Sequence, residues 1–327
     1  MNYLEQNHQP DELIAVTRKN IDAHQKILQL VSLTADNGSG TVAAPGGWSV
    51  TSNWTRGLMQ GNGTVLGSDG FMYVGGHKDS QKEGYGELTL PDGSKRVGQW
   101  RANKPYGYGT LVSADGFVSS GMWVNGSLHG NGTITGANGF RYDGEFRYGK
   151  KHGYGRAVLP TGGVYEGQWA NGFHHGNGTY CYKNFTYCGG YRNHSPDGYG
   201  VLTYPDGTTY KGWFAQGKQH GNGTRTSPEG RTLVGIFNEG MTYNATGLFV
   251  SENFTFEGTW VCGAWHGYGV HTMNNDSWRG IFQHGRLHNG TGNFTLSGVK
   301  YQHGTWVNGL LEGNATQILP DGTRYEG

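Results

Sequence analysis

YEGQWANGFHHGNG, residues 165–178, is the clearest copy of a motif that recurs along most of this 327-residue chain. Counted from its first aromatic residue as position 0, the motif has aromatic residues at 0 and +4, glycine at +2, +7, +11 and +13, and histidine at +10. Complete copies also begin at Tyr142, Tyr210 and Phe256. Looser copies begin at Val50, Tyr73, Arg96, Ser119, Tyr187, Leu233, Trp278 and Gln302. The chain therefore holds twelve repeats that start 22 to 24 residues apart, and a thirteenth opens at Tyr325.

The spacing of the aromatic residues predicts β-strands. Side chains of a strand point alternately to its two faces, so positions 0, +2 and +4 share one face. Two rings then flank a glycine, and a ring from the neighbouring hairpin can lie on the bare backbone there. The shared phase predicts a buried aromatic ladder, with these members: Tyr142, Phe146, Tyr165, Trp169, Tyr210, Phe214, Phe256 and Trp260.

Two chain reversals are expected in each repeat. Six repeats have Asp-Gly or Asn-Gly at +19 and +20, and such pairs tolerate the positive φ angles of tight hairpin turns. The aspartates and asparagine concerned are Asp69, Asp92, Asp115, Asn138, Asp206 and Asp321. The other reversal is expected between +7 and +11, where the motif has further glycines. The predicted fold class is all-β, an elongated single-layer antiparallel ribbon of tandem hairpins with a short N-terminal helix.

The pattern resembles the MORN repeat family, and the resemblance covers roughly residues 48–327. Twelve copies in phase make it specific. It implies hairpin repeats and a scaffold role, as in cytoskeletal, flagellar and membrane-junction proteins, and similar arrays are encoded by giant viruses. It also implies two alternatives known in the family, which are binding to phosphoinositide lipids and attachment to the catalytic domains of kinases or methyltransferases.

The segment before the repeats has its own pattern. Residues 11–33 carry apolar side chains on one side of a helix, so residues 1–34 are predicted as an N-terminal helical segment. This helix is either a lid on the first hairpin or an element of self-association. Residues 35–47, rich in glycine and small residues, are predicted as a linker to the array at 48–327. Residues 1–10 are polar and predict no signal peptide in the sequence shown.

Composition and charge exclude several classes of protein. The chain has 61 glycines and only 34% hydrophobic residues, which argues against a conventional globular core. Its 25 basic and 24 acidic residues nearly balance, and no clustered basic stripe predicts a nucleic-acid partner. No apolar run approaches the ~18 residues that a membrane-spanning helix needs.

No residue is predicted to carry catalysis, to bind a cofactor or to ligate a metal. The +10 histidines lie one repeat, or roughly 10 Å, apart along the sheet, which is too far for one ion to collect them. They are predicted to stabilise turns instead: His129, His152, His175, His220, His266 and His288. The Gly-x-Gly strings do not lead from a strand into a helix as phosphate-binding loops do. No set of nucleophile, base and acid recurs, so the chain is predicted not to be an enzyme.

Sequons of the form Asn-x-Ser/Thr are unusually frequent. They include 15 of the 24 asparagines, far more than the frequency of Ser and Thr would give by chance. Part of the excess comes from a repeated Gly-Asn-Gly-Thr string, but others stand at predicted hairpin turns, which are exposed as a glycan requires. The candidate glycosylation sites are Asn37, Asn53, Asn62, Asn125, Asn131, Asn177, Asn184, Asn193, Asn222, Asn244, Asn253, Asn275, Asn289, Asn293 and Asn314. The alternative is a protein rich in Asn and Thr that carries no sugar.

Two of the three cysteines bear on the same question. A reversal centred on Asn184 and Phe185 would place Cys181 directly opposite Cys188. Opposed strand residues have Cα atoms about 4.5 to 5.5 Å apart, within the range of a disulfide. The pair is therefore a disulfide candidate, with free thiols as the alternative.

Together these patterns predict a structural or interaction protein that presents an elongated repeat surface to protein partners or to other copies of itself. The sequons favour a glycosylated extracellular or virion component, and a cytoplasmic scaffold is the alternative. A module that binds anionic lipid is a further alternative, since clustered Lys and Arg attract phosphate headgroups. The cluster concerned is Arg141, Arg147, Lys150, Lys151 and Arg156, opposed in part by Asp143 and Glu145. Neither nucleic acid nor a small-molecule substrate is expected.

Overall fold

The computed structural model describes residues 37–250, 254–296 and 299–327. These residues form antiparallel β-strands joined by short turns, which confirms the predicted all-β fold class. Contacts along the chain divide it into two compact parts, an N-terminal part that ends at His175 and a C-terminal part that begins at Gly176.

The N-terminal part contains strands β1 to β12, each of which pairs with the next in antiparallel fashion. A single 3-10 turn at Pro45–Gly47 separates the first two strands. The strands are β1 Gly38–Ala44, β2 Trp48–Thr55, β3 Leu58–Leu66, β4 Met72–Lys78, β5 Gln81–Thr89, β6 Lys95–Arg101, β7 Lys104–Val112, β8 Val118–Val124, β9 Ser127–Thr135, β10 Arg141–Arg147, β11 Lys150–Val158 and β12 Val164–Ala170.

The C-terminal part continues the pattern from β13, whose first three residues still belong to the N-terminal part. Consecutive strands pair antiparallel up to β24, which pairs with both β25 and β26, and β26 pairs with β27. The strands are β13 Phe173–Tyr182, β14 Phe185–Arg192, β15 Ser195–Thr203, β16 Thr209–Ala215, β17 Lys218–Thr226, β18 Thr232–Asn238, β19 Met241–Val250, β20 Phe254–Val261, β21 Ala264–Met273, β22 Asp276–Gln283, β23 Arg286–Leu296, β24 Val299–Val307, β25 Leu310–Leu311, β26 Thr316–Ile318 and β27 Arg324–Glu326.

The turn inside each repeat is tight and lies at positions +6 and +7. In the repeat that begins at Tyr165, the turn residues Asn171 and Gly172 have φ angles of 53° and 92°. Two consecutive positive φ angles match the twist of the flanking strands, which is why such turns favour hairpins. The reversal is therefore shorter than the predicted span from +7 to +11.

The glycine at +11 has a different role from the one that we predicted. It lies inside the second strand of the hairpin, where the pairing register shifts between Gly144 and Glu145. Gly153, the +11 residue of this repeat, has a φ angle of 61°. It occupies a β-bulge, and a residue with a side chain would be strained there.

The reversals between repeats lie at the Asp-Gly and Asn-Gly pairs, where they were predicted. Only the glycine takes a positive φ, for example 86° at Gly93. The preceding aspartate acts through its side chain, because Asp92 Oδ1 accepts a hydrogen bond of 2.8 Å from the backbone N–H of Ser94. The same bond recurs at Asp69, Asn138, Asp206 and Asp321.

The segment before the repeats differs from its prediction. Residues 38–44, predicted as part of a linker, form strand β1 and pair with residues 48–54 of β2. The linker prediction is wrong here because backbone groups, not side chains, make this pairing, and the edge of β2 offers free N–H and C=O groups. The predicted helix over residues 11–33 lies outside the described residues.

The core is the aromatic ladder on one face of the sheet, hereafter the ladder face. Its rings meet edge to face, both within a repeat and between repeats: the centroids of Tyr142 and Phe146 are 5.1 Å apart, and those of Tyr142 and Trp169 are 5.2 Å apart. Within the C-terminal part, Tyr210 contacts Phe214 and Phe237 in the same way. The buried members include Tyr142, Phe146, Tyr165, Trp169, Tyr210, Phe214, Phe256 and Trp260.

Glycine pairs make room for the ladder. Gly144 and Gly155 face each other across β10 and β11, and a Cβ added at Gly155 would lie 2.4 Å from the hydroxyl of Tyr142. The ring above the glycines is therefore the position 0 ring of the same repeat, and not only a ring of the neighbouring hairpin as we predicted. Aromatic stacking replaces a second layer of secondary structure.

Two recurring hydrogen bonds fix the rings. The position 0 tyrosine donates its hydroxyl to the carbonyl of residue +3, as Tyr142 does to Glu145 at 3.0 Å. The other tyrosines that do so are Tyr73, Tyr165, Tyr187 and Tyr210. Three tryptophans at position +4, namely Trp100, Trp123 and Trp169, donate Nε1–H to the carbonyl of the +13 glycine of the preceding repeat, as Trp169 does to Gly155 at 3.1 Å. These bonds satisfy polar groups of rings that are otherwise buried, whereas the buried Nε1 of Trp54 has no partner among the described residues.

Candidate interaction face

The opposite face of the sheet, hereafter the outer face, carries position +12. Side chains there point away from the ladder, because +12 and +13 are successive strand residues. Nine repeats have either tyrosine or asparagine at +12, and these side chains lie on the surface. The tyrosines are Tyr85, Tyr108, Tyr154, Tyr199 and Tyr268, and asparagines of the Gly-Asn-Gly-Thr string occupy the same position as Asn62, Asn131, Asn177 and Asn222. In each of the two parts, the outer face therefore carries exposed rings and amides.

The candidate glycosylation sites lie mostly on the surface. The exposed ones are Asn37, Asn53, Asn62, Asn125, Asn131, Asn177, Asn184, Asn193, Asn222, Asn275, Asn289 and Asn314. Asn244 and Asn293 are half-buried, and Asn253 lies outside the described residues. Asn125 and Asn193 occupy the +6 turn position, with φ angles of 50° and 49°.

Several of these asparagines also support the backbone. The Oδ1 of Asn289 accepts a hydrogen bond of 2.8 Å from the N–H of Asn308, a turn residue of the next repeat. Asn37 and Asn244 make the equivalent bond to the turn residues Arg56 and Cys262. The bond uses the amide oxygen, whereas a glycan is attached through the amide nitrogen, so the two roles are compatible.

The cysteine pair differs from its prediction by one residue. The turn is at Lys183 and Asn184, so Cys181 lies opposite Thr186, and Cys188 lies opposite Thr179. The two cysteines are thus diagonal neighbours, whose Cα atoms are typically ~7 to 8 Å apart, beyond the usual range of a disulfide. Both thiols are free and exposed, as is Cys262. The predicted direct opposition was wrong because the φ angle of 52° at Lys183 closes the loop one residue earlier.

Position +9 is a second core position, which the sequence patterns did not reveal. It lies against the aromatic ladder and is filled by apolar side chains at Met59, Leu128 and Leu287. Lys82 occupies it in the second repeat with 0% exposure. A comparison of the +9 residues along the chain would have suggested burial, because apolar residues recur there.

Lys82 lies in an aromatic cage. Its Nζ is 5.8 Å from the ring centroid of Phe71, 5.1 Å from that of Tyr73 and 5.6 Å from that of Trp100. No hydrogen-bond acceptor for Nζ is present among the described residues. Burial lowers the pKa of the Lys82 amine to about 7. Cation–π contact compensates only part of the cost of removing the ammonium group from water.

Two further basic side chains lie near this cage. Burial, followed by the charge of Lys82, lowers the pKa of His77 to about 4. The guanidinium of Arg96 stacks on the ring of Trp123 at 4.0 Å, and burial lowers its pKa to about 9. These groups belong to the core and do not face solvent as a ligand site would.

The basic cluster considered for lipid binding is largely engaged within the protein. Arg141 forms a bidentate ion pair with Asp143, with distances of 2.5 and 2.7 Å. Lys151 lies over three rings of the ladder, among them Trp169 at 4.8 Å. Arg156 lies 3.8 Å from Glu166. The arrangement gives phosphate headgroups few free charges.

The +10 histidines lie in the second strand of each hairpin and not in the turn. His152, for example, is opposite Glu145. Over the described ranges, no three His, Cys, Asp or Glu side chains gather closely enough to hold a metal ion. No helix within the described part of the chain is long and apolar enough to cross a membrane.

Comparison with known proteins identifies the repeats. The profile of the MORN repeat family matches residues 51–72, 73–95, 97–118, 120–141, 142–164, 165–186, 187–209, 210–230, 256–278 and 303–324. These matches cover more than half of the chain, so the protein belongs to the MORN repeat family. The repeats that begin at Leu233 and Trp278 are outside the matches, but they form the same hairpins, β18–β19 and β22–β23. Membership places the chain among structural or interaction repeat proteins.

Other comparisons add little. A search of curated proteins gave no match. Among solved structures, the chain is similar to the SAS-4 TCP domain of Drosophila melanogaster in complex with a proline-rich motif of Ana2, with 10% identity and a TM-score of 0.24, covering 61% of this chain and 90% of that one. It is also similar to a virginiamycin B lyase from Staphylococcus aureus, with 10% identity and a TM-score of 0.14, covering 89% and 94%. Superpositions this weak support no conclusion about function.

Proposed function

We propose that this protein is a glycosylated structural component of a cell or virion surface, which uses the ladder face for stability and the outer face for display and assembly. The observation that carries the proposal is the position of the sequons. Twelve of them are exposed, and those of the Gly-Asn-Gly-Thr string share the outer face with the tyrosine row. Glycosylation needs an asparagine on the surface of the folded protein, and these sites meet that condition.

The division of labour between the two faces further supports this role. The ladder rings are buried by packing within and between repeats, as those of Tyr142 and Tyr210 are, so a partner can contact the outer face without disturbing the fold. Exposed tyrosines are well suited to such contact, since Tyr supplies a large, stiff ring with a polar tip. Arg141 and Arg156 of the basic cluster are paired with Asp143 and Glu166, which favours a protein partner over anionic lipid.

Peptide mapping of the protein from its native source tests the proposal. Glycans are released in heavy-oxygen water by an amidase that converts each occupied asparagine to labelled aspartate. We expect label on several exposed sequons, such as Asn62, Asn131 and Asn222, well above that on Asn138, an exposed Asn-Gly residue outside any sequon that reports spontaneous deamidation. If every sequon is bare in native material, the protein is a cytoplasmic scaffold and the proposal is wrong.

A further inference from the structure

One part of the outer face is unusually apolar. Tyr199 pairs with Trp213 across β15 and β16, and both rings remain about half exposed, at 50% and 52%. Their centroids are 5.8 Å apart in an edge-to-face contact. Ile236, on β18, is 41% exposed in the same row. Adjacent large apolar side chains on a surface usually mark a site that something covers.

A sequon asparagine stands inside this apolar row. Asn222 lies on β17, between the strand of Trp213 and the strand of Ile236, and it pairs directly with Ile236. On the other side, a Cβ at the neighbouring Gly221 would be 3.6 Å from the Cβ of Trp213. Thr224, which completes the sequon, is two residues further along the strand and therefore on the same face as Asn222.

We propose that the first sugar of an N-linked glycan on Asn222 covers the Trp213 ring and the Ile236 side chain. This inference rests on the proposed function, since it requires a glycosylated protein. Ile236 is directly opposed to Asn222, and such side chains are about 4.5 to 5.5 Å apart, which is comparable with the width of one sugar ring. Trp213 stands on the other side at the β-bulge, where its Cβ is 3.6 Å from a Cβ added at the adjacent Gly221. A sugar attached to Asn222 is therefore within reach of both neighbours.

The chemistry of the two surfaces is complementary. One side of a pyranose ring presents C–H groups with slight positive charge, and the face of an indole ring is negative. Contact between them removes apolar ring surface from water while the sugar hydroxyls stay hydrated on the other side. The row would then be covered by the protein's own glycan, and a second protein would not need to bury it.

A matched control exists in the first repeat. Asn62 belongs to the same Gly-Asn-Gly-Thr string and the same +12 position, but its partner across β3 and β4 is Gly76. The residue near it on the other side is Asn53, whose Nδ2 would be 3.8 Å from a Cβ at Gly61. A glycan on Asn62 therefore has no apolar side chain directly beside it.

Hydroxyl-radical oxidation of the full chain, secreted from eukaryotic cells and read by peptide mass spectrometry, tests this inference. The same spectra report the occupancy of Asn222. In chains that carry a glycan on Asn222, we expect Trp213 to oxidise about twofold more slowly than after complete removal of glycans, because part of its exposed face is covered. An endoglycosidase that leaves only the first sugar should preserve the protection. Oxidation of Trp54, on the ladder face near Asn62, should not respond to glycan removal.

Variants separate the effect of the sugar from the effect of the side chain. Thr224→Ala removes the sequon without changing Asn222 and should abolish the protection of Trp213. Thr224→Ser keeps the sequon and should retain that protection. Thr64→Ala removes the sequon of Asn62 and should leave the oxidation of Trp213 unchanged. Equal oxidation of Trp213 with and without an occupied Asn222 would overturn this inference, and so would a bare Asn222 among occupied sequons. Neither result would affect the proposed function, which fails only if all sequons of the native protein are bare.

Discussion

Replacing Trp169 by alanine is expected to lower the local free energy of unfolding by about 3 to 5 kcal/mol, the usual cost of truncating a buried tryptophan. Trp169 is only 2% exposed and meets the rings of Tyr142 and Tyr165 edge to face. Its Nε1 also satisfies the carbonyl of Gly155 at 3.1 Å. The variant therefore loses packing on both sides and leaves a buried acceptor without its donor.

Hydrogen exchange of the backbone amides in β10 to β12 measures this loss directly, because repeat proteins open locally as well as globally. Tyr108→Ala is the matched control, since Tyr108 is 70% exposed on the outer face of the same part of the protein. Its effect should stay within about 0.5 kcal/mol. Equal effects of the two substitutions would show that the ladder does not hold neighbouring repeats together.

Replacing Lys82 by methionine should have the opposite effect and stabilise the N-terminal part by on the order of 3 kcal/mol at pH 7. The amine is fully buried and has no hydrogen-bond acceptor among the described residues. Methionine fits the position, because Met59 occupies the same place in the first repeat with 0% exposure. The substitution removes the cost of burying a charge and keeps the packing volume.

The effect should depend on pH in a defined direction. The pKa of Lys82 is lowered to about 7 in the folded protein from an ordinary value of 10.5, so between these values the unfolded chain binds more protons. Stability of the wild-type protein therefore rises with pH from about 7 towards 10. Burial raises the pKa of the ladder tyrosines, such as Tyr142, so stability falls again once the unfolded chain loses tyrosine protons above about pH 10.

Thermal unfolding of both proteins between pH 6 and pH 9.5 checks this expectation. The Lys82→Met variant should lack most of the rise, and its advantage over the wild type should shrink as pH increases. Lys104→Met is the control, because the Lys104 side chain is exposed, and its unfolding curves should follow the wild type at every pH. A constant advantage of Lys82→Met across this range would mean that burial does not lower the pKa of Lys82 and that the amine stays charged in the folded protein, which would contradict this account.

Much of this architecture could be predicted from the sequence because a repeat shows the same rule many times. The alternation of Tyr165, Gly167 and Trp169 indicates a strand with one buried face, and its recurrence fixes the phase of every hairpin. The Asp-Gly pairs locate one turn of each repeat because their chemistry is specific to reversals. The ladder follows from these two signals alone.

The remaining features depend on neighbours that the pattern does not specify. Strand β1 has few apolar residues and forms by backbone pairing with β2, so its composition resembled that of a linker. The cross-strand partner of Cys181 depends on whether the turn begins at Lys183 or one residue later. A shift of the turn by a single residue changes the pairing register and gives each side chain a new partner. The burial of Lys82 is set by the cage around it, whereas a lysine in a strand ordinarily suggests an exposed position.

The difference between the two faces is tested most directly by comparing the oxidation rates of tyrosines in unglycosylated protein. Tyr73, Tyr142, Tyr187 and Tyr210 occupy position 0 and are buried, whereas Tyr85, Tyr108, Tyr154, Tyr199 and Tyr268 are exposed. Hydroxyl-radical footprinting resolved by peptide mass spectrometry should therefore show rapid oxidation of the second group and strong protection of the first. Similar rates in both groups would contradict the assignment of one face to the core and the other to display and assembly.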